Sequence, residues 1–277
     1  MKSNNFFLNN ISIFFLFIYL LFGLYIVDDF GISVDEEFQR YSGFFWLDYI
    51  VDFTSFENLK LDISLKLNSI EGFTLPDPRN YQFYGVAFDL PLALIETLAK
   101  LENPRDYFLL RHYANFLIFF VSSIYFYLLI KKKFIDKSLV FFGLVLYLSS
   151  PRIIGDSFYN NKDIIFLSLV TITTYYFFLF LDKKNYKNLI TLGIFSSLTC
   201  ALRIVGIFIP LSLIIFLLVS KKRKNNSWQK VFKFIFFYLA IFCVFLIIFW
   251  PYLWSNPISN FLYSLNVFSK YPVEFQM

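Results

Sequence analysis

Three adjacent carboxylates, Asp35-Glu36-Glu37, follow directly on the first long apolar run of the chain, residues 11–27. Ionised side chains are costly inside hydrocarbon, so they gather at its edge or in polar cavities, where they often do chemistry. A carboxylate beside a hydroxyl substrate can serve as a general base, and hard oxygen ligands can hold a divalent cation. A second cluster, Arg152, Asp156, Lys162 and Asp163, and a single Arg203 inside a later apolar stretch add cations of the kind that bind phosphate. Arg111-His112 opens another apolar run and joins the same set. Acids and bases of these types suit group transfer from a phosphate-bearing donor. If that donor is a lipid, its tail can stay in the bilayer while its head reaches the site.

The elements that must carry these residues are membrane helices. Of 277 residues, 58% are hydrophobic and 23% aromatic, while only 16% are charged. Soluble domains run nearer a quarter charged, and apolar runs of roughly 18 residues or more recur here. The first run has only Lys2 ahead of it and no small-residue cleavage site, so it is a retained span rather than a secretory signal. Spans are expected at about residues 9–27, 109–130, 138–150, 164–181 and 231–250, with a longer apolar stretch at 189–220. Between the first two, residues 38–52 and 88–101 are expected as amphipathic helices lying along the membrane surface, with Pro91 tolerated in a first turn. Residues 59–67 are ambiguous, residues 75–80 read as a loop from their prolines, and residues 150–163 read as a compact polar loop.

Charge distribution orients the bundle. Lys2 and the loops around 131–137, 183–187 and 221–233 hold 14 basic residues and only Asp136 and Asp182 as acids. The rest of the chain holds 11 basic and 18 acidic residues. The positive-inside rule puts the first group in the cytoplasm. Both flanks of 189–220 are then cytoplasmic, so that stretch must cross twice, with Arg203 near the outer turn. The expected fold is all-α: a polytopic bundle of about seven spans, N-terminus inside and C-terminus outside, in which 28–108 forms the first extracytoplasmic loop. Every polar cluster then falls on the outer face. Cys200 and Cys243 lie in apolar runs as small hydrophobes, and no His/Cys grouping suggests zinc.

The order of these features resembles the GT-C membrane glycosyltransferases, especially the protein-mannosyltransferase-like branch (glycosyltransferase family 39 and its bacterial relatives). Asp35-Glu36 is similar to the family's Asp-Glu pair after span one, and Arg111 to the Arg that opens span two. Residues 150–163 are similar to its acidic motif between spans three and four, Arg203 to an Arg at the outer turn of paired short helices, and Trp250-Pro251-Tyr252-Leu253-Trp254 to a run after span seven. The resemblance implies a single module over 1–277 that moves a sugar, with inversion, from a polyprenyl-phosphate donor to a glycan, lipid or protein hydroxyl outside the cytoplasm. It implies Asp35 as general base with Glu36 in support, and Arg111, Arg152, Lys162 and Arg203 at the donor phosphate or substrate. Asp156 would orient the acceptor or, with Asp35, hold a divalent ion such as Mg or Mn. It implies a bacterial inner membrane setting and no nucleic-acid partner. Family members run on for several more spans, so a chain ending at Met277 is expected to be truncated or to need a partner.

Plainer roles stand beside these. Acids favour any helix N-terminus, Arg203 can snorkel to the interface, and Trp250 and Trp254 can belong to an aromatic belt. The rival functions are a lipid-sugar flippase or small-solute transporter, and a non-catalytic membrane subunit. Transporters often show repeated halves and charges near the midplane, whereas here the charges keep to one face and no internal repeat is visible.

Overall fold

The computed structural model describes residues 2–71, 77–224 and 227–270, and all regular structure among them is helical. Twelve α-helices follow one another: α1 (Lys2–Ile26), α2 (Val34–Val51), α3 (Glu57–Glu71), α4 (Asp89–Leu98), α5 (Pro104–Lys133), α6 (Lys137–Leu148), α7 (Pro151–Tyr159), α8 (Asp163–Asp182), α9 (Tyr186–Leu202), α10 (Phe208–Lys224), α11 (Trp228–Phe249) and α12 (Pro257–Ser269). Among the described residues four helices, containing the α1, α5, α8 and α11 segments, are long and apolar enough to cross a membrane, and α6 with α7 makes a fifth if the bent pair counts as one span. The fold is therefore an all-α membrane bundle. α9 and α10, at 17 residues each, flank Arg203 as two short helices.

Local sequence explains the breaks. Ser150 precedes Pro151, whose ring disfavours helical backbone in the residue before it, and Ser150 is extended at φ −62°, ψ 117°. α6 and α7 consequently meet at 56°. Arg203 is likewise extended, at φ −142°, ψ 127°, between α9 and a 3-10 turn at Ile204–Ile207. Gly206 permits this tight reversal, because a Cβ there would lie 2.7 Å from backbone atoms of Cys200. At the opposite end, Lys131, Lys132 and Lys133 close α5, where cations favour the helix dipole.

Several apolar groups pack the bundle. Phe116 and Phe119 of α5 meet Leu16 and Tyr19 of α1, Leu144 of α6 and Phe158 of α7, and Phe158 stacks on Phe30 with centroids 4.2 Å apart. Phe180, Leu189, Leu192, Leu213, Phe234 and Tyr238 join α8 to α11. Separately, α2, α3 and α4 share their own core of Phe44, Leu47, Val51, Ile63, Leu67, Ile70 and Ala93.

Three sequence expectations change here. The ambiguous residues 59–67 lie within α3, where Ile63, Leu67 and Ile70 recur at helical spacing and bury against α2. Residues 150–163 are not a polar loop throughout: 151–159 form α7, which starts on a proline and buries Ser157 and Phe158. In the stretch 75–80, Pro78–Tyr81 form a 3-10 turn capped by Asp77, while Leu75 and Pro76 lie outside the described residues.

The helices expected at 38–52 and 88–101 do form, but α2 hides part of its polar face rather than showing it to water. Its buried residues include Glu36, Gln39, Arg40, Gly43 and Leu47, a stripe with helical spacing. Hydropathy alone assigns the polar end of such a stripe to solvent. Partners on α4 and α5 reverse that assignment.

Candidate functional site

The carboxylates of the first loop separate as soon as they enter α2. Ser33-Val34-Asp35-Glu36 has capping-box spacing, and the Ser33 amide donates to Glu36 Oε1 at 2.8 Å. Glu36 is 0% exposed, and its Oε2 lies 3.0 Å from His112 Nε2 on α5. Asp35 and Glu37, on neighbouring helical positions, are exposed.

Behind this pair lies a buried ionic network. Glu96 of α4 accepts from Arg40 Nη2 at 2.6 Å and from Arg111 Nη1 at 2.8 Å, and Lys66 Nζ of α3 stands 3.4 Å away. Burial pushes the Glu96 carboxyl up, but these three cations win and hold it below its ordinary value. Arg111 is 1% exposed, and its Nη1 also donates to the Tyr107 carbonyl at 2.8 Å. The network ties α2, α3, α4 and α5 into one block.

Lys162 and Arg203 come together on the wall of a cavity of about 330 Å³. Phe83, Tyr84, Leu202, Ile204, Trp250 and Phe268 make it mainly apolar. Lys162 sits one residue before α8, with Nζ 4.5 Å from the Tyr84 ring centroid, a cation–π contact. Burial lowers its pKa, and Arg203 adds to this, whereas the charges of Asp89, Asp35 and Asp163 oppose it. Arg203 Nη2 forms an ion pair with Asp163 Oδ1, while the buried Arg203 Nε has no hydrogen-bond partner. Gly85 brings the wall together: a Cβ there would lie 1.5 Å from the Ala201 carbonyl oxygen at the end of α9.

Lys162 and Arg203 thus share the cavity wall, and Asp35, which does not line the cavity, acts on Lys162 through its charge. Arg111 belongs to the buried network around Glu96, and Glu36 to the separate buried pair with His112. Arg152 and Asp156 lie on α7 and pair with each other at 3.3 Å, with the Arg152 side chain 84% exposed; neither lines the cavity. Among the described residues no group of three or more His, Cys, Asp and Glu side chains is arranged to hold a metal ion. Neither Asp35 nor Asp156 belongs to such a group among those residues. Asp89, Tyr84 and Gly85 carry no obvious motif, yet each shapes the surroundings of Lys162 or Arg203, as does Asp163 of the second polar cluster.

Residues 107–254, just over half of the chain, match the family model of dolichyl-phosphate-mannose-protein mannosyltransferases. The chain belongs to this family. It is a multi-pass membrane glycosyltransferase of the GT-C type. The segment shared with the mannosyltransferase family runs from the start of α5 to the turn after α11, so it contains Arg111, Arg152, Asp156, Lys162 and Arg203 and begins after Asp35 and Glu36. No curated protein and no solved structure matches the chain.

Proposed function

We propose that this mannosyltransferase-family protein transfers a sugar, with inversion, from a polyprenyl-phosphate donor to an acceptor hydroxyl on the extracytoplasmic side of a bacterial plasma membrane. The single observation carrying the reading is the pairing of Lys162 and Arg203 on one apolar cavity wall, with Asp35 acting on Lys162. Two cations beside apolar surface suit a lipid phosphate, because an uncompensated charge withdrawn from water is costly and an anion offsets that cost.

In the proposed reaction the acceptor oxygen attacks the anomeric carbon as the bond from that carbon to the phosphate oxygen breaks. The electron pair leaves with the phosphate, which Lys162 and Arg203 steady, and the acceptor proton passes to the Asp35 carboxylate. Glu36 fixes the turn that presents Asp35. Arg111 orients α5 through Glu96. Arg152, exposed on neighbouring α7, and Asp156 paired with it contact the acceptor. The lysine-rich loops support a seven-span reading with the N-terminus inside, in which all of these residues belong to the outer face.

The test of the phosphate role is donor kinetics with polyprenyl-phosphate mannose. Lys162→Met and Arg203→Met are expected to raise KM for this donor at least about tenfold, a loss of about 1.4 kcal/mol of binding each. Unchanged donor KM in both variants overturns the assignment.

A further inference from the structure

We propose that Asp89 is a positioning residue for this reaction: from behind the cavity wall it fixes the turn that carries Lys162 and keeps that lysine charged for the donor phosphate. The inference rests on the phosphate role given above to Lys162.

Asp89 opens α4, where an acid is favoured, yet it is only 2% exposed. It is pressed against α2 at Gly43, where a Cβ would lie 2.7 Å from the Asp89 carbonyl oxygen. Its Oδ1 accepts a hydrogen bond from Asn161 Nδ2 at 3.0 Å. Asn161 is itself buried and directly precedes Lys162, so this bond anchors the turn between α7 and α8 to α4.

Lys162 needs such a neighbour. It stands at the N-terminus of α8, where the helix dipole disfavours a cation, and burial disfavours its charge further. Arg203 repels it from the break after α9. Against these act Asp89 from α4, Asp35 from α2 and Asp163 from α8, with Asp89 exerting the largest effect of the three. The charged groups facing Asp89 are Lys162, Arg111 of α5 and Glu36 of α2. Burial pushes Asp89 up to about 7, so it is ionised on the alkaline side, where a buried lysine most needs a counter-charge. Asp89 does not line the cavity, so it acts on the donor only through Lys162.

The experiment compares pH profiles of kcat/KM for polyprenyl-phosphate mannose in the wild type, Asp89→Asn and Asp89→Asn/Lys162→Arg. Asparagine keeps an oxygen for Asn161 and removes only the charge. Its profile is expected to lose its alkaline limb at lower pH, with about tenfold lower kcat/KM on that limb for each unit by which the Lys162 pKa falls, and little loss at about pH 6. Arginine at 162 stays charged and is expected to restore the alkaline limb in the double variant. A superimposable profile, or an equal loss at every pH, overturns the proposal. If Asp89→Asn does not accumulate, Lys162→Arg alone decides: an alkaline limb that it fails to extend overturns the proposal too. Lys162→Met with wild-type donor KM would instead remove the phosphate role on which the inference rests.

Discussion

Glu36 Oε2 lies 3.0 Å from His112 Nε2, with both side chains sealed from solvent. The other oxygen of Glu36 caps α2. One carboxylate therefore joins the start of α2 to the start of α5 and leaves its neighbour Asp35 facing outward. Removing it would strand buried His112 and uncap the helix at once. Glu36→Ala is expected to cost about 3 kcal/mol of stability, visible as a lower melting temperature in detergent, while Glu36→Gln, able to keep the cap, costs less. Equal melting of Glu36→Ala and wild type would show that the pair holds nothing together.

Glu96 is the only acid paired to both Arg40 and Arg111 among the described residues. Glu96→Gln leaves two buried guanidinium groups without a counter-charge, at an expected cost of about 3–5 kcal/mol. The checkable outcome is a loss of thermal stability, with greater protease sensitivity in the α2–α4 block than in the spans.

Acid and neutral pH should act on different carboxylates. Asp89 has a folded value of about 7 against an ordinary 3.8, so its contribution to stability is complete below 3.8 and is lost as pH rises through about 7. Glu96 runs the other way: its value is depressed below 4.5, so its contribution is present above 4.5 and is lost as pH falls through the depressed value. Asp89→Asn should flatten the change in melting temperature between about pH 4 and about pH 7 and leave the acid-side loss in place. An unaltered slope in that window would contradict the burial of an ionisable Asp89.

Gly85 and Gly206 admit no side chain where the cavity wall closes on α9. Gly85→Ala must push the Tyr84 loop away from Ala201 and so move the ring that covers Lys162. The expected outcome is normal membrane insertion with at least about tenfold weaker donor KM, read in the same assay as Lys162→Met. Wild-type donor kinetics would place the loop outside the donor site.

Much of this architecture is legible in the chain itself. Apolar runs announce the long helices, and Arg203 inside a stretch too long for one span marks the break between α9 and α10. Less legible is where polar residues end up. The pattern of α2 gives no sign that Glu36 and Arg40 are buried, because their partners are far away in the chain, His112 at 76 residues from Glu36 and Glu96 at 56 residues from Arg40. Asp89 was equally silent: an acid in the first turn of a short helix looks like an ordinary dipole partner until Asn161 and Gly43 close around it. α7 is hidden because its polar residues and proline mimic a loop, while its apolar residues 153, 154 and 158 reveal themselves only against α1 and α5.

The most direct test of the account is sugar transfer from radiolabelled polyprenyl-phosphate mannose by Asp35→Asn in membranes that contain the native acceptors. Asp35 is exposed, so the variant should insert and melt like the wild type. The account predicts loss of transfer by at least about a hundredfold, within the usual range for removing a general base, with donor KM little changed. Transfer at the wild-type rate by a correctly inserted Asp35→Asn protein would contradict it.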